Sequence, residues 1–275
     1  MKVSLTSIPA SPGSRKTMKS KVPPPVNLLR RSIRLARKLE RIASVPASST
    51  LLTMVGYGFL VRSRRLAAAI EAMPSECSYE ALILVRSMFE IFFDYKWIRL
   101  TRKHSRAVRF LRYQPIDKLK ALEALPTAFP PQKLQSIKRR LKTERSKTRH
   151  LFRFKDRKHV SRWASSWAHP VSTVAGRVAE LRLSAPTTPE DNYWYGVYRW
   201  MSWAVHASPQ SIDASVTMNG RLKPRQALED PSLPLILGWV LLISIIDFLA
   251  SDLKLATALE PERSRLIKRL KTVHS

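Results

Sequence analysis

Thiols, glycine and long apolar runs are all scarce in this chain, and each shortage excludes a class of function. A single cysteine, Cys77, stands among 275 residues, so neither a disulfide framework nor a four-thiolate zinc site can form within it. Cys77 sits beside an expected helix start and reads as a partly buried, unreactive thiol. Glycine occurs 7 times, and no Walker loop, GxGxxG or GxSxG pattern is present. The 6 histidines form no HExxH or CxxH arrangement, so no metal and no cofactor is expected. The longest apolar run, Leu235 to Leu249, has Asp247 inside it. It falls short of the roughly 20 residues a spanning helix needs, so it reads as a buried core helix, and integral membrane insertion is not expected. The amino-terminal segment lacks the apolar region of a secretory signal, although its Ser-, Arg- and Lys-rich composition also resembles a transit peptide. The reading is cytoplasmic and bacterial.

Acid is the other shortage. Against 49 Lys and Arg there are 20 Asp and Glu, for a net charge of +29. The excess is uneven. Residues 1–45 hold 11 cations against one acid, and residues 96–162 hold 22 against 4. Residues 46–95 and 163–253 are close to neutral. A basic surface around a near-neutral core suits a polyanion: RNA, DNA or an anionic membrane. The plainer alternative is a solvated basic surface without a partner.

What is abundant is helix. The 19 prolines cluster between segments of helical periodicity, and no run of strand character stands out. The fold class is therefore all-α, a multi-helix bundle with a flexible basic N-terminal tail. Residues 1–25 read as the disordered tail, and 26–45 as a basic amphipathic helix suited to a membrane, to nucleic acid or to packing by its Leu/Ile stripe. Residues 46–257 read as the helical core, with a basic insertion at about 99–162, and 258–275 as a basic C-terminal helix. Within the core, helices are expected at about 51–73, 76–102, 132–150, 171–183, 190–206 and 233–257, with one or two short ones broken at Pro115 and a last helix at 262–272. Gly56 and Gly58 are expected at a close helix–helix approach.

Two helices carry polar residues in apolar settings. In Tyr198 to His206, Arg199 and His206 are seven residues apart and share a face, with Tyr198 and Ser202 nearby. Arg199 could hold a phosphate while His206 moves a proton, enough for attack of a ribose 2′-hydroxyl on its own phosphodiester without a metal. Alternatively both are structural. In Tyr79 to Trp97, Arg86, Glu90 and Asp94 follow at four-residue spacing. Arg86 and Glu90 read as a buried ion pair or, alternatively, as the support of His206 or Arg199. Lys138, Arg139, Arg140, Arg153, Lys155, Arg157 and Lys158 are the candidate nucleic-acid contacts. The aromatics interleaved with cations at 151–162 suit base stacking, or else anchor a solvated loop.

Arg86-Ser-Met-Phe-Glu90, the Phe110/Tyr113 element, a Trp-initiated helix from Trp163 or Trp167 to Leu181, and Tyr198/Ser202/Val205/His206 follow one another in an order that resembles the prokaryotic domain-of-unknown-function family 5677. That resemblance spans about residues 50–250 and implies a helical fold, with no established activity. Arg199-x6-His206 also resembles the signature of HEPN nucleases, RNases of toxin and defence systems. By that likeness Arg199 contacts phosphate and His206 serves in acid–base catalysis, in a homodimer. The chain departs from the pattern at Trp200, where a small polar residue is common. The expected function is binding of RNA or another polyanion, with HEPN-like cleavage as its sharp form. The alternatives are a non-enzymatic helical interaction protein and a peripheral membrane protein.

Overall fold

The apolar run around Trp239 lies at the centre of the molecule, as a helix enclosed by three others. The computed structural model describes residues 25–43, 50–100, 103–124, 130–155, 160–184, 189–205 and 230–271. The elements are α1 (Pro25–Ile42), α2 (Leu51–Ala72), a 3₁₀ turn (Ser75–Cys77), α3 (Ser78–Leu100), α4 (Lys103–Arg112), α5 (Gln114–Ala124), α6 (Pro131–Lys147) and α7 (Arg149–Phe152). A hairpin of β1 (Arg153–Lys155) and β2 (Ser161–Trp163) follows, then α8 (Val174–Ser184), α9 (Pro189–Val205), α10 (Leu233–Asp252) and α11 (Ala256–Lys271). The fold is an all-α bundle. Residues 1–24 of the expected tail lie outside the described residues.

The core is the bundle of α1, α2, α3 and α10. By length and composition α10 could cross a membrane, yet its Leu237, Trp239, Leu242, Ile245, Ile246 and Leu249 are buried against its neighbours. On α1, Leu28, Leu29, Ile33, Leu35 and Leu39 are buried against α2 and α10, so the apolar stripe of this helix is a packing face. Full burial of each such side chain contributes about 1.5–3 kcal/mol before chain entropy is counted. Gly56 is where α2 meets α3 and α10. A Cβ there would fall 2.1 Å from the Tyr95 hydroxyl. Gly58 departs from expectation, because a Cβ there would meet nothing within 4 Å.

Helix ends follow local chemistry. The Thr50 hydroxyl accepts from the Thr53 N–H at 3.2 Å and starts α2, which ends before Pro74. Thr173 accepts from the Gly176 N–H at 3.0 Å and starts α8. The helix expected from Trp163 or Trp167 therefore begins only at Val174. Trp163 closes β2 instead, and Trp167 lies in the following turn. The helix expected to run to 257 stops at Asp252. Lys254 takes a left-handed backbone, φ 57°, and the N–H groups of Lys254 and Leu255 turn back to the carbonyls of Ser251 and Ala250. No glycine marks that stop. The last helix starts at Ala256 and carries Pro261 inside it.

Residues 151–163 differ most from expectation. In place of a loop there is an antiparallel hairpin, with Arg153 opposite Trp163 and Lys155 opposite Ser161. Phe152 is buried with Tyr113, Ile116 and Ala164 in a second, smaller apolar cluster beneath it.

Candidate functional site

α3 is apolar nearly all round, yet one stripe of it carries Arg86, Glu90 and Asp94, one turn apart. Each finds a partner on α8 or α9. The Arg86 guanidinium donates from Nε to Ser202 Oγ at 3.1 Å and from Nη2 to the Tyr198 hydroxyl at 3.4 Å. The same Nη2 lies 3.2 Å from Glu90 Oε1. The Tyr198 hydroxyl donates to Glu90 at 3.4 Å, and Ser202 donates to the Tyr198 carbonyl. Burial first, and then the Glu90 charge, raises the Tyr198 hydroxyl above its ordinary pKa, so it stays a donor at neutral pH. Four residues selected by sequence thus converge. They do not form the buried pair expected: the Arg86 and Glu90 side chains are 22% and 39% exposed.

The stripe continues downward. Asp94 Oδ1 lies 2.7 Å from Arg177 Nε on α8, both enclosed. The Asp94 carboxyl is lifted to about 6: burial raises it most, Arg177 lowers it, and Glu90 one turn earlier raises it. Below that, the Trp97 indole N–H donates to Glu180 at 2.8 Å, and Arg106 bonds Glu180 and the Trp97 carbonyl while its guanidinium lies 3.7 Å over the Trp97 ring. This polar ladder joins α3 to α9, α8 and α4. Sequence reasoning missed Arg177, Glu180 and Arg106. The signal was there for two of them: Arg177 and Glu180 are opposite charges three residues apart in an otherwise nearly apolar helix.

Arg199 does not join the ladder. It and Trp200 are exposed on α9, while Tyr198 is buried beside them. His206 follows the last described residue of α9 and lies outside the described residues, so the Arg199–His206 pairing has no geometry to report.

The second candidate surface is the basic arm from α4 to β2. Arg139 and Arg140 are exposed on α6, with Lys138 half-buried beside them. Arg153 and Lys155 are exposed on β1, whereas Arg157 and Lys158 lie outside the described residues. Arg149 and His150, which sequence reasoning left out, join Arg153, Phe154, Lys155 and Ser161 around an open cleft of about 490 Å³. The interleaved aromatics are not free for base stacking. Phe152 is enclosed with Tyr113, and Phe154 stacks on His169 at 4.1 Å. Arg109 ties this region to the core by donating to the carbonyls of Trp167 and His169.

An α-helical bundle with a polar ladder on one central helix and a cation-rich arm defines the class: an all-α multi-helix protein. A model of the family of unknown function DUF5677 matches residues 53–221, and the chain belongs to that family. The match takes in the ladder and the arm and leaves out α1, α10 and α11. No curated protein and no solved structure matches the chain.

Proposed function

We propose that the protein binds RNA through the basic arm. The observation that carries this reading is the arrangement at 149–155 and 160–163: Phe152 and Phe154 turn inward to a small core, and Arg149, Arg153 and Lys155 turn outward around an open cleft. Such a surface contacts phosphates rather than bases, so binding is expected to be weakly selective for sequence and strongly dependent on salt. The test is the affinity of a single-stranded RNA of about 20 nucleotides as a function of salt. A slope near −0.7 for each phosphate neutralised supports the reading. No binding at about 50 mM salt, where such contacts are strongest, removes it.

Cleavage is the second reading, favoured by the convergence of Arg86 and Glu90 on the helix that carries Arg199 and leads into His206. In this reading Arg199 holds the phosphate and His206 moves the proton, with no metal. Cleavage should survive EDTA and leave 2′,3′-cyclic phosphates, and DNA should bind but stay intact. His206→Ala should lower the rate about 10²–10⁴-fold with binding nearly unchanged. Activity lost with EDTA or retained in His206→Ala would assign the chemistry elsewhere.

A further inference from the structure

The cations of α1 divide into two sets. Arg30 pairs with Glu71 of α2 at 2.6 Å. Glu40 of α1 pairs with Arg64 of α2. These contacts hold α1 to the core. Arg31, Arg34, Lys38 and Arg41, spaced three, four and three residues apart, form one stripe about 15 Å long. All four are exposed. The stripe faces Arg265 of α11 across a groove of about 330 Å³. Leu35 lies in its floor. Lys38 bonds Glu262 and so closes one point of the groove. Arg31, Arg34, Arg41 and Arg265 have no carboxylate partner among the described residues.

Of the five cations that line the groove, Lys38 has an acid partner, and Arg31, Arg34, Arg41 and Arg265 have none among the described residues. The helix has no apolar face left for a bilayer, because Leu28, Leu29, Ile33, Leu35 and Leu39 are spent in the core. What the groove offers is a line of guanidinium groups with solvent access. A line of cations of that length can neutralise several consecutive phosphates. We propose that the α1–α11 groove is a second polyanion site, separate from the basic arm, that seats a chain of consecutive phosphates. The chain is either an RNA strand, in which case the site extends the proposed function, or inorganic polyphosphate. The groove lies outside the segment matched by the family, so it would be a property of this chain.

The test uses the full-length protein and two probes, a labelled U12 RNA and inorganic polyphosphate. Arg31→Gln, Arg34→Gln and Arg41→Gln together should weaken U12 about tenfold or more at moderate salt and take about 2 from the salt slope, three contacts at about 0.7 each. Arg62→Gln, Arg65→Gln and Lys254→Gln remove the same charge away from the groove and should change affinity less than threefold. Helical circular dichroism should be the same for both triple variants; if the groove triple fails to fold, Arg34→Gln and Arg41→Gln are read singly, at about threefold each. Combining the groove triple with Arg139→Gln and Arg140→Gln should give additive losses, as two separate contacts require. Equal losses from groove and control variants, or none from the groove variant, overturn the site. If the unaltered protein ignores U12, the arm reading fails and polyphosphate decides. Polyphosphate binding lost in the groove triple upholds the site with that ligand, and no polyphosphate binding overturns it.

Discussion

Cations between the core helices and cations exposed on the basic arm are used in opposite ways. Between the core helices, Arg64, Arg86, Arg99 and Arg177 each lie against a carboxylate of Glu40, Glu90, Asp252 or Asp94. In the arm, Arg139, Arg140, Arg149, Arg153 and Lys155 are exposed with no carboxylate in ion-pair range among the described residues. Supply explains part of this, since residues 96–162 hold 4 acids against 22 cations. Burial explains the rest. A guanidinium enclosed between helices must be paired or it destabilises the fold, whereas an exposed one carries no such demand. The comparison separates cations that hold the fold from cations open to an anionic partner.

That separation can be broken most sharply at Arg177. Arg177→Ala leaves Asp94 buried without its cation and should cost about 3–5 kcal/mol, read from the denaturant midpoint. A cost below about 1 kcal/mol, the range of exposed pairs, would erase the distinction. The same carboxyl sets a pH dependence. Its pKa in the folded protein is raised to about 6, so the folded state takes up this proton before the unfolded state does. Stability from Asp94 therefore rises as pH falls from about 6 to about 4, by up to about 3 kcal/mol, and is lost as pH rises through 6. Asp94→Asn should remove that slope, and an unchanged profile would show that the carboxyl is not held in this way.

Two glycines on one helix come next. Gly56→Ala forces a Cβ into the Tyr95 hydroxyl and should destabilise by about 1–3 kcal/mol. Gly58→Ala meets nothing and should stabilise by about 0.5–1 kcal/mol through helix propensity. Thermal midpoints moving in the same direction would contradict the packing of α2 on α3. The smallest effect is expected at Glu90→Ala. The Arg86–Glu90 pair is open to solvent, so its loss should cost no more than about 1 kcal/mol.

Much of this was legible in the chain. Thr50, Pro74, Pro115 and Pro131 marked helix ends close to where they fall, because caps and prolines act locally. The α10 run announced a core helix by its length and its lack of a polar face. The site was half legible. Four-residue spacing picked out Arg86, Glu90 and Asp94, and Tyr198 and Ser202 proved to face the first two. The spacing could not tell how deep the pair would sit, since that depends on the tertiary packing around it. The hairpin was missed because its strands are three residues long, too short for an alternation to stand out. The end of α10 was missed because Lys254 adopts a left-handed backbone that glycine would have announced. The partners Arg177 and Glu180 come from a helix more than 80 residues away in sequence, and only the packing of α8 on α3 brings them to Asp94 and Trp97.

Binding of RNA phosphates by the unpaired cations of the arm is the proposal on which the function rests. Its most direct test compares the salt dependence of single-stranded RNA binding in the unaltered protein and in a variant carrying Arg139→Gln, Arg140→Gln, Arg153→Gln and Lys155→Gln. The account predicts that the variant folds with an unchanged thermal midpoint, binds RNA at least about a hundredfold more weakly at low salt, and loses between about 2 and 3 from the slope. Equal affinity and slope in the two proteins would contradict it.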